Sequence, residues 1–543
     1  MINLTIDGIP VSVEEGTSIL NAAKQVHINI PTLCYHEDQA VKAVCRMCVV
    51  EVNGAQALQT ACSTPVAEGM QVRTCSSRIT RYRRDLLELI FARHPQECLC
   101  CQKAGRCELQ ALAEQLGYRR KDRYKFDVRD ASIDTSSPSI TRDPRKCVQC
   151  QRCITACKEI EGIDCIAKEN RGYNTNVVLP FGLKLADTAC VNCGQCYQYC
   201  PTGAITIHDD VSRLYKAIDS GKKVVVQVAP SVRINIAECL GAEPGTVTTG
   251  KMVTAMKLLG FTKVLDADFA ADLTILEEGT ELLQRIQNGG VLPMTTSCCP
   301  AWVKYCETFY PDLTQHMSTA KSPQQMFGPM IKTYCAEKLG YDPEEIFSVS
   351  VMPCTAKKFE CQRPEFDSSG YRDVDLSITT QGLADMIKAA GIDYFNLEES
   401  EFDSPTGTGS GAGLIFGATG GVMEAALRTV YEVYTGETLQ HIELEQCRGA
   451  EGIREAEIDL GTAKVKIAVA HSLANAKILM DQIREGTSPY TFIEIMACPG
   501  GCLSGGGNAP RSWTKVKKRL AAVYEAERQL PIRKSHETPE IKA

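Results

Sequence analysis

Two short runs carry the plainest chemistry in the chain: "CVQCQRCITAC" (Cys147, Cys150, Cys153, Cys157) and "CVNCGQCYQYCP" (Cys190, Cys193, Cys196, Cys200). Each reads C-x2-C-x2-C-x3-C, the spacing of paired 4Fe–4S clusters in which the fourth cysteine of each run ligates the other cluster. Cys200 is therefore expected to join Cys147, Cys150 and Cys153, and Cys157 to join Cys190, Cys193 and Cys196. Upstream, Cys34, Cys45, Cys48 and Cys62 run C-x10-C-x2-C-x13-C. A close pair flanked by two distant cysteines suits a 2Fe–2S cluster on the rim of a small sheet. A zinc ribbon is the alternative, and it usually shows two C-x2-C knuckles where this segment has one. "HPQECLCCQKAGRCEL" holds His94, Cys98, Cys101 and Cys107 at H-x3-C-x2-C-x5-C. A lone histidine beside a proline is normally a surface residue, but these three cysteines lack a fourth partner. As a ligand, a neutral imidazole makes its cluster less negative and raises its potential. Cys100 is left over and reads as structural.

The chain has 28 cysteines in 543 residues, most of them two to four residues apart. No basic n-region and apolar h-region open it, so a secreted disulfide framework is not expected. In a reducing, cytoplasmic compartment such groups are metal sites, and soft thiolates without a finger-like histidine pair select iron–sulfur clusters. A net charge of -7 gives no reason to expect nucleic acid or a membrane surface as partner. No stretch approaches the ~18 apolar residues of a membrane span.

These ligands need scaffolds. "MINLTI", a turn at Asp7-Gly8 and "PVSV" read as a hairpin, followed by a helix "ILNAAKQV" capped by Thr17 or Ser18. Arg119 to Ser137 is polar and reads as a linker. From about residue 210 strands and helices alternate: "KKVVVQVAPSVR" is a buried strand running into a loop, "TILEEGTELLQRIQNGG" an amphipathic helix closed by Gly289, and "KVKIAVAHS" and "FIEIMACP" two further strands. "GTGSGAG" and "GATGG" do not fit G-x-G-x-x-G after a strand, so no dinucleotide site is expected there.

This last region holds "TTSCCPAW", "MPCTAKKFE" and "IMACPGGCLSGGGNAP". Neighbouring side chains in an extended segment point opposite ways, so Cys298 and Cys299 are expected to serve different spaces. The three segments closely resemble the three signatures of the FeFe-hydrogenases, and the order of cysteine sets upstream resembles the clostridial type with a full accessory relay. The resemblance covers nearly the whole chain. It implies an α+β multidomain architecture: a β-grasp 2Fe–2S domain (1–78), a small His/Cys3 cluster domain (79–118), a bacterial-ferredoxin-like domain with two 4Fe–4S clusters (139–209) and a large α/β catalytic domain of two lobes (210–543). It further implies an H-cluster, a 4Fe–4S cube joined to a di-iron unit with CO, cyanide and an azadithiolate, beside one 2Fe–2S and three accessory 4Fe–4S clusters. By that likeness Cys299, Cys354, Cys498 and Cys502 hold the cube, with Cys502 bridging to the di-iron unit. Lys357 donates to one cyanide; Ala229, Pro230 and Ser231 pack around the other; Met352 and Met496 line the pocket. On periodicity alone those methionines are core filler. The glycines of "GGCLSGGG" read either as a flexible turn or as room for a close approach of backbone to the centre.

Cys298 then faces the open side of the di-iron unit, and its counterpart in the family passes protons to the bridging amine. The bland alternative is a packed thiol. With an unperturbed pKa near ~8.5 a thiol suits proton transfer at neutral pH. Glu278, Glu281 and Arg285 fall at i, i+3 and i+7 of one helix. Alone that is a solvated salt-bridge ladder; the resemblance makes it, with Ser318, a path running Arg285, Glu281, Ser318, Glu278, Cys298. Ala301 stands where many members have glycine, and relatives of this type are expected to extend as a helical tail past "SHETPEIKA". A respiratory iron–sulfur subunit shares the first 110 residues but lacks the three signatures. A hydrogenase-like assembly protein is not expected to keep both Cys298 and the Glu278–Ser318 path, and a hydrogen-sensing paralogue usually loses the relay cysteine. The expected activity is reversible hydrogen oxidation and proton reduction. The expected partners are hydrogen and protons, maturation proteins, and either a ferredoxin or a flavin-bearing NAD(P)H subunit. The basic stretches "SSRITRYRR" and "YRRKDRYK" are candidates for docking an acidic ferredoxin, with solvated helix faces as the alternative.

Overall fold

Alternating apolar residues pair Ile2–Ile6 with Ile9–Val13 in an antiparallel hairpin, Ile2 opposite Val13 and Ile6 opposite Ile9. Asp7 (φ 48°) and Gly8 (φ 82°) make the two-residue turn, the positive-φ pair that matches strand twist. The computed structural model describes residues 1–119, 123–124, 126, 131–449, 452–459 and 464–542. They fall into two units: Met1–Lys158 with Asp164–Thr188 and Tyr199–Thr206, and Glu159–Ile163 with Ala189–Gln198 and Ile207–Ala543.

In the first unit the hairpin joins a five-stranded sheet with Gln71–Arg73, Val49–Val52 and Gln59–Thr60. Helix Ile19–Gln25 packs Ile19, Leu20, Ala22 and Ala23 against it, and Ser18 caps the helix by accepting from the Asn21 N–H (3.3 Å). A second helix, Ser77–Phe91, is capped by Ser76. Its Arg83 is buried and donates to the carbonyls of Met47 (3.1 Å) and Val49 (2.8 Å). The basic stretch "SSRITRYRR" is thus in part a structural staple. Of the stretch "YRRKDRYK", residues 120–122 and 125 lie outside the described residues.

The second unit is built on two four-stranded sheets. One is wholly parallel, in the order Lys263–Asp266, Lys223–Val228, Ile346–Met352, Leu376–Thr379. The other places Met294–Thr295, Phe492–Met496 and Lys464–His471 in parallel, with Ile453–Asp459 antiparallel at its edge. The central strands read as continuous apolar runs because helices cover both faces. The long helix Asp268–Asn288 buries Phe269, Ala270, Ala271, Ile275 and Leu282, and ends at Gly289 in the left-handed region (φ 70°). The glycines of "GTGSGAG" have a packing role: a Cβ on Gly409 or Gly413 would collide with the Asp268–Phe269 backbone.

Three wholly buried charges, Arg428, Glu424 and Glu527, tie helix Gly421–Thr435 to helix Trp513–Arg528. The Arg428 guanidinium lies 2.6 Å from Glu424 and 2.9 Å from Glu527. Removing one member of a buried ionic set leaves uncompensated charge behind. Arg428→Met is expected to lower the stability of this unit by about 3 kcal/mol, since Arg448 and Arg533 keep the two carboxylates partly paired. The check is the denaturant midpoint of its unfolding; an unchanged midpoint contradicts it.

Candidate active site

Ligands of parallel sheets sit at the carboxyl ends of strands, and the second unit gathers five such ends. Ala229, Pro230 and Ser231 follow strand Lys223–Val228, and Ala267 follows Lys263–Asp266. Cys298 and Cys299 lie just past Met294–Thr295. Met352 ends its strand two residues before Cys354, and Met496 ends its strand two residues before Cys498. All of these, together with Cys502, Lys357, Gln324 and Phe416, line one cavity. Burial pushes up the pKa of each of the four thiols Cys299, Cys354, Cys498 and Cys502, and for the last three the neighbouring sulfurs push the same way. Four thiols in a mostly apolar cavity form a soft donor set for iron. The buried Ser231 hydroxyl has no hydrogen-bond partner in the protein, so the wall keeps a donor for a bound group. The residues fit the cluster that the sequence implies.

Of the glycines beside Cys502, Gly501 and Gly505 line the cavity, and the three after Cys502 also pack against other loops. A Cβ on Gly505 would strike the Pro353 carbonyl, one on Gly506 would come within 2.5 Å of the Cys193 carbonyl, and one on Gly507 within 2.9 Å of the Cys354 N–H. They bring the Cys502 loop close to two other cysteine-bearing backbones. Their freedom serves the joining of loops.

Lys357 donates to the Cys298 carbonyl (3.2 Å) and to Glu360 (3.0 Å). Burial pulls its pKa down, but the Glu360 charge more than offsets this and keeps the ammonium charged. Glu360 was not anticipated, although it stands three residues on in "AKKFE". It also accepts from Ser322 (3.0 Å) and Gln324 (2.8 Å).

The carboxylates behave as a graded pair. Arg285 reaches Glu281 at 2.6 Å, and Glu281 accepts from the Ser318 hydroxyl (2.9 Å) and the Thr319 N–H (2.8 Å). Partial burial raises the Glu281 pKa, but these donors together hold it below the usual range. Glu278 lies deeper and is wholly buried; it accepts from the N–H (3.1 Å) and hydroxyl (3.3 Å) of Ser297. Burial raises its pKa to about 7, opposed by the Ser297 and Ser318 donors. Ser297 was missed by sequence reading, though it immediately precedes Cys298. The Cys298 thiol departs from the ordinary value assumed for it: burial, then the Glu278 charge, pushes it well up, so the thiol stays neutral.

In the first unit Cys147, Cys150, Cys153 and Cys200 line a single small cavity. The left-handed residues Gln149 (φ 58°) and Gln151 (φ 64°) recur in the second run as Asn192 (φ 62°) and Gly194 (φ 73°). In each run the first of these turns its N–H onto the leading sulfur, Cys147 or Cys190, at 3.4 Å. Cys157 is buried with its sulfur 3.5 Å from Cys165, a neighbour that spacing did not indicate. Cys193 is buried in the second unit, where burial and then the Glu161 charge raise its pKa. Cys196 is half-buried. Of the N-terminal set, Cys48 and Cys62 lie 3.4 Å apart, and Cys34 and Cys45 interact directly, Cys34 raising and Cys45 falling to about 6. His94, Cys98, Cys101 and Cys107 are each partly exposed.

Residues 222–506 match a family model described as "Iron only hydrogenase large subunit, C-terminal domain". Residues 1–77 match a "2Fe-2S iron-sulfur cluster binding domain", 83–122 an "NADH-ubiquinone oxidoreductase-G iron-sulfur binding region", and 187–206 a "4Fe-4S binding domain". The chain is 47% identical to the NADP-reducing hydrogenase subunit HndD of Solidesulfovibrio fructosivorans, over 100% of this chain and 94% of that protein. It is 40% identical to iron hydrogenase 1 of Clostridium pasteurianum, over 99% and 95%. The structure of a variant of the FeFe-hydrogenase HydA1 from Chlamydomonas reinhardtii superposes with a TM-score of 0.55 at 41% identity, covering 61% of this chain and 92% of that one. Among the described residues no helix is long and apolar enough to cross a membrane. A matched catalytic domain spanning more than half the chain, with relatives aligned over nearly its whole length, shows that the chain belongs to the FeFe-hydrogenases, iron–sulfur enzymes that oxidise hydrogen and reduce protons at an H-cluster.

Proposed function

We propose that Cys299, Cys354, Cys498 and Cys502 hold the cube of the H-cluster, that Cys502 bridges to the di-iron unit, and that Cys298 is a proton carrier. When bound, the cluster supplies the redox chemistry 2H⁺ + 2e⁻ ⇌ H₂. The observation that carries this reading is the cavity lined by all five thiols, backed by the Glu278 site on the side of Cys298. The other residues divide the remaining work. Lys357 holds a positive charge beside the thiols, fixed by Glu360, and is positioned to donate to an anionic ligand. Ser231 supplies a second donor, with Ala229 and Pro230 shaping the wall. Met352 and Met496 keep water out.

Protons move by donor and acceptor steps at Arg285, Glu281, Ser318, Glu278 and Cys298. Glu281, held ionised, gathers protons near the surface; Glu278, with a pKa of about 7, both takes and gives a proton near neutrality. Below that pH Glu278 is mostly protonated and can donate, as proton reduction requires. Above it Glu278 is mostly ionised and can accept, as hydrogen oxidation requires.

We further propose four accessory clusters. Segment 1–78 holds a 2Fe–2S cluster on Cys34, Cys45, Cys48 and Cys62. Segment 79–118 holds a 4Fe–4S cluster on His94, Cys98, Cys101 and Cys107. Segment 139–209 holds two, the first on Cys147, Cys150, Cys153 and Cys200, supported by their shared cavity, and the second on Cys157, Cys190, Cys193 and Cys196. Residues 210–543 form the catalytic domain. The electron partner is a ferredoxin or a flavin-bearing NAD(P)H subunit, since a relative is an NADP-reducing hydrogenase subunit and this chain has no dinucleotide fingerprint. No side chain makes CO or cyanide, so maturation proteins supply the di-iron unit. The dense free thiols suit a reducing cytoplasm.

Cys298→Ala in matured enzyme is expected to keep the CO and cyanide infrared bands while losing on the order of 10²–10⁴ in turnover in both directions. Cys299→Ala is expected to lose the cube. Retention of most activity by Cys298→Ala contradicts the relay. Removing a donor to the ionised form of Glu278 should raise its pKa. Ser297→Ala is therefore expected to move the titration of the Glu278 carboxyl C=O band, assigned by its loss in Glu278→Gln, above the wild-type midpoint. A fixed or lower midpoint counts against the arrangement. His94→Cys is expected to lower the potential of its cluster in a redox titration, because the added thiolate charge stabilises the oxidised form; an unchanged potential means His94 is not a ligand.

A further inference from the structure

The first unit carries a groove that the hydrogenase reading does not use. It encloses about 870 Å³ and is lined by three cations, Arg93, Arg142 and Lys184, against one carboxylate, Asp134. Both Asp134 oxygens are already engaged by backbone N–H groups, Leu185 at 2.7 Å and Ser136 at 3.0 Å. Against its partial burial these donors hold Asp134 ionised, and three cations against that one carboxylate leave the lining positive on a chain whose net charge is -7. Two of the cations are held in place: Arg93 lies 4.0 Å over the Tyr173 ring, and Arg142 donates to the Val177 carbonyl at 3.1 Å.

Apolar side chains stand in solvent around this charge. Ile133 is 47% exposed, Leu183 45%, and Phe181, on the turn at the groove's edge, 99%. Phe181 also has φ 54°, a left-handed conformation that an aromatic residue rarely adopts. Apolar groups rimmed by charge mark protein contact sites. The groove also has a chemically informative floor. Arg142, Pro144 and Val177 line both it and the cavity of Cys147, Cys150, Cys153 and Cys200. Whatever sits in the groove is separated from that cluster site by one layer of side chains.

We propose that this groove docks a small acidic iron–sulfur electron carrier and passes electrons to the cluster of Cys147, Cys150, Cys153 and Cys200. Each transfer takes one electron from the reduced carrier, oxidising it by one, and reduces the cluster by one; two transfers serve each 2H⁺ + 2e⁻ → H₂. The positive lining attracts the partner, and Phe181 and Leu183 give the contact its apolar part. The helix of "SSRITRYRR" is the competing surface: its Arg83 is as buried as Arg142, and Arg78 and Arg84 donate to backbone carbonyls as Arg142 does, but no groove over a cluster site lies beside it among the cavities described.

The inference rests on the reading of these cysteines as an accessory cluster, which iron content and the paramagnetic spectra of reduced enzyme check independently. The test compares matured wild type with the double variant Phe181→Ala, Lys184→Glu, using a purified acidic ferredoxin with two 4Fe–4S clusters. Calorimetry should show the Kd for the oxidised ferredoxin rising roughly tenfold at low salt, since charge reversal at a docking rim weakens steering and contact together. Hydrogen evolution should show a comparable rise in KM for reduced ferredoxin, with the methyl viologen-driven rate unchanged. The difference in Kd should shrink as salt screens the charges. An unchanged Kd, or a loss that instead follows Arg78→Glu and Arg81→Glu, overturns the proposal. A parallel fall in the viologen rate overturns it too, because the turn would then be part of the cluster site.

Discussion

Four thiols sharing one buried cavity are the constraint around which the larger unit is built. Water-poor surroundings disfavour a thiolate, and a second thiolate nearby disfavours it further. A cluster needs all four as thiolates, so its binding must release protons and must bring its own positive charge. The fold meets this constraint by converging strand ends. Two sheets contribute loops to one point: Cys299, Cys354 and Cys498 each follow a strand end within four residues, and Cys502 follows on the short turn Gly501–Ser504. The ligand positions are thereby set by sheet register, which is stiff. Gly505, Gly506 and Gly507 complete the arrangement by letting the Cys502 loop approach the Cys354 and Cys193 loops where any side chain would collide.

The same burial divides labour among the polar groups. Lys357 and Glu360 enter the interior as a pair, so a cation stands beside the thiols without an isolated buried charge. Glu281, beside Arg285 and near solvent, stays ionised; Glu278, one helical turn inward, is lifted to about 7. One helix face thus grades from a permanent anion to a group that titrates near neutrality. Cys298, pushed up by burial and by Glu278, is held as a thiol, which is the form that can hand on a proton.

Much of this was legible in the sequence. The repeated C-x2-C-x2-C-x3-C runs, the hairpin at Asp7-Gly8 and the strands leading to Ser231 and Cys498 all follow from spacing and periodicity, which report local geometry; the strand leading to Cys354 was not read. What the sequence left dark depends on tertiary neighbours. Ser297 and Glu360 stand beside residues that were singled out, yet nothing local says that they face Glu278 and Lys357. The glycines after Cys502 read as room for a cofactor; that they also join loops stays hidden, because a sequence cannot say which backbone approaches which. The groove near Phe181 left no motif at all, since it is assembled from Arg93, Arg142 and Lys184, far apart in the chain.

The central claim is that Cys298 and Cys299, adjacent in sequence, serve different partners: one holds iron and the other moves protons. Anomalous scattering at the iron edge from crystals of the matured enzyme tests this most directly. The account predicts iron bonded to the sulfurs of Cys299, Cys354, Cys498 and Cys502, with the Cys298 sulfur in the same cavity and bonded to none. Iron on the Cys298 sulfur, or a cube held by a set of cysteines that excludes Cys299, would contradict it.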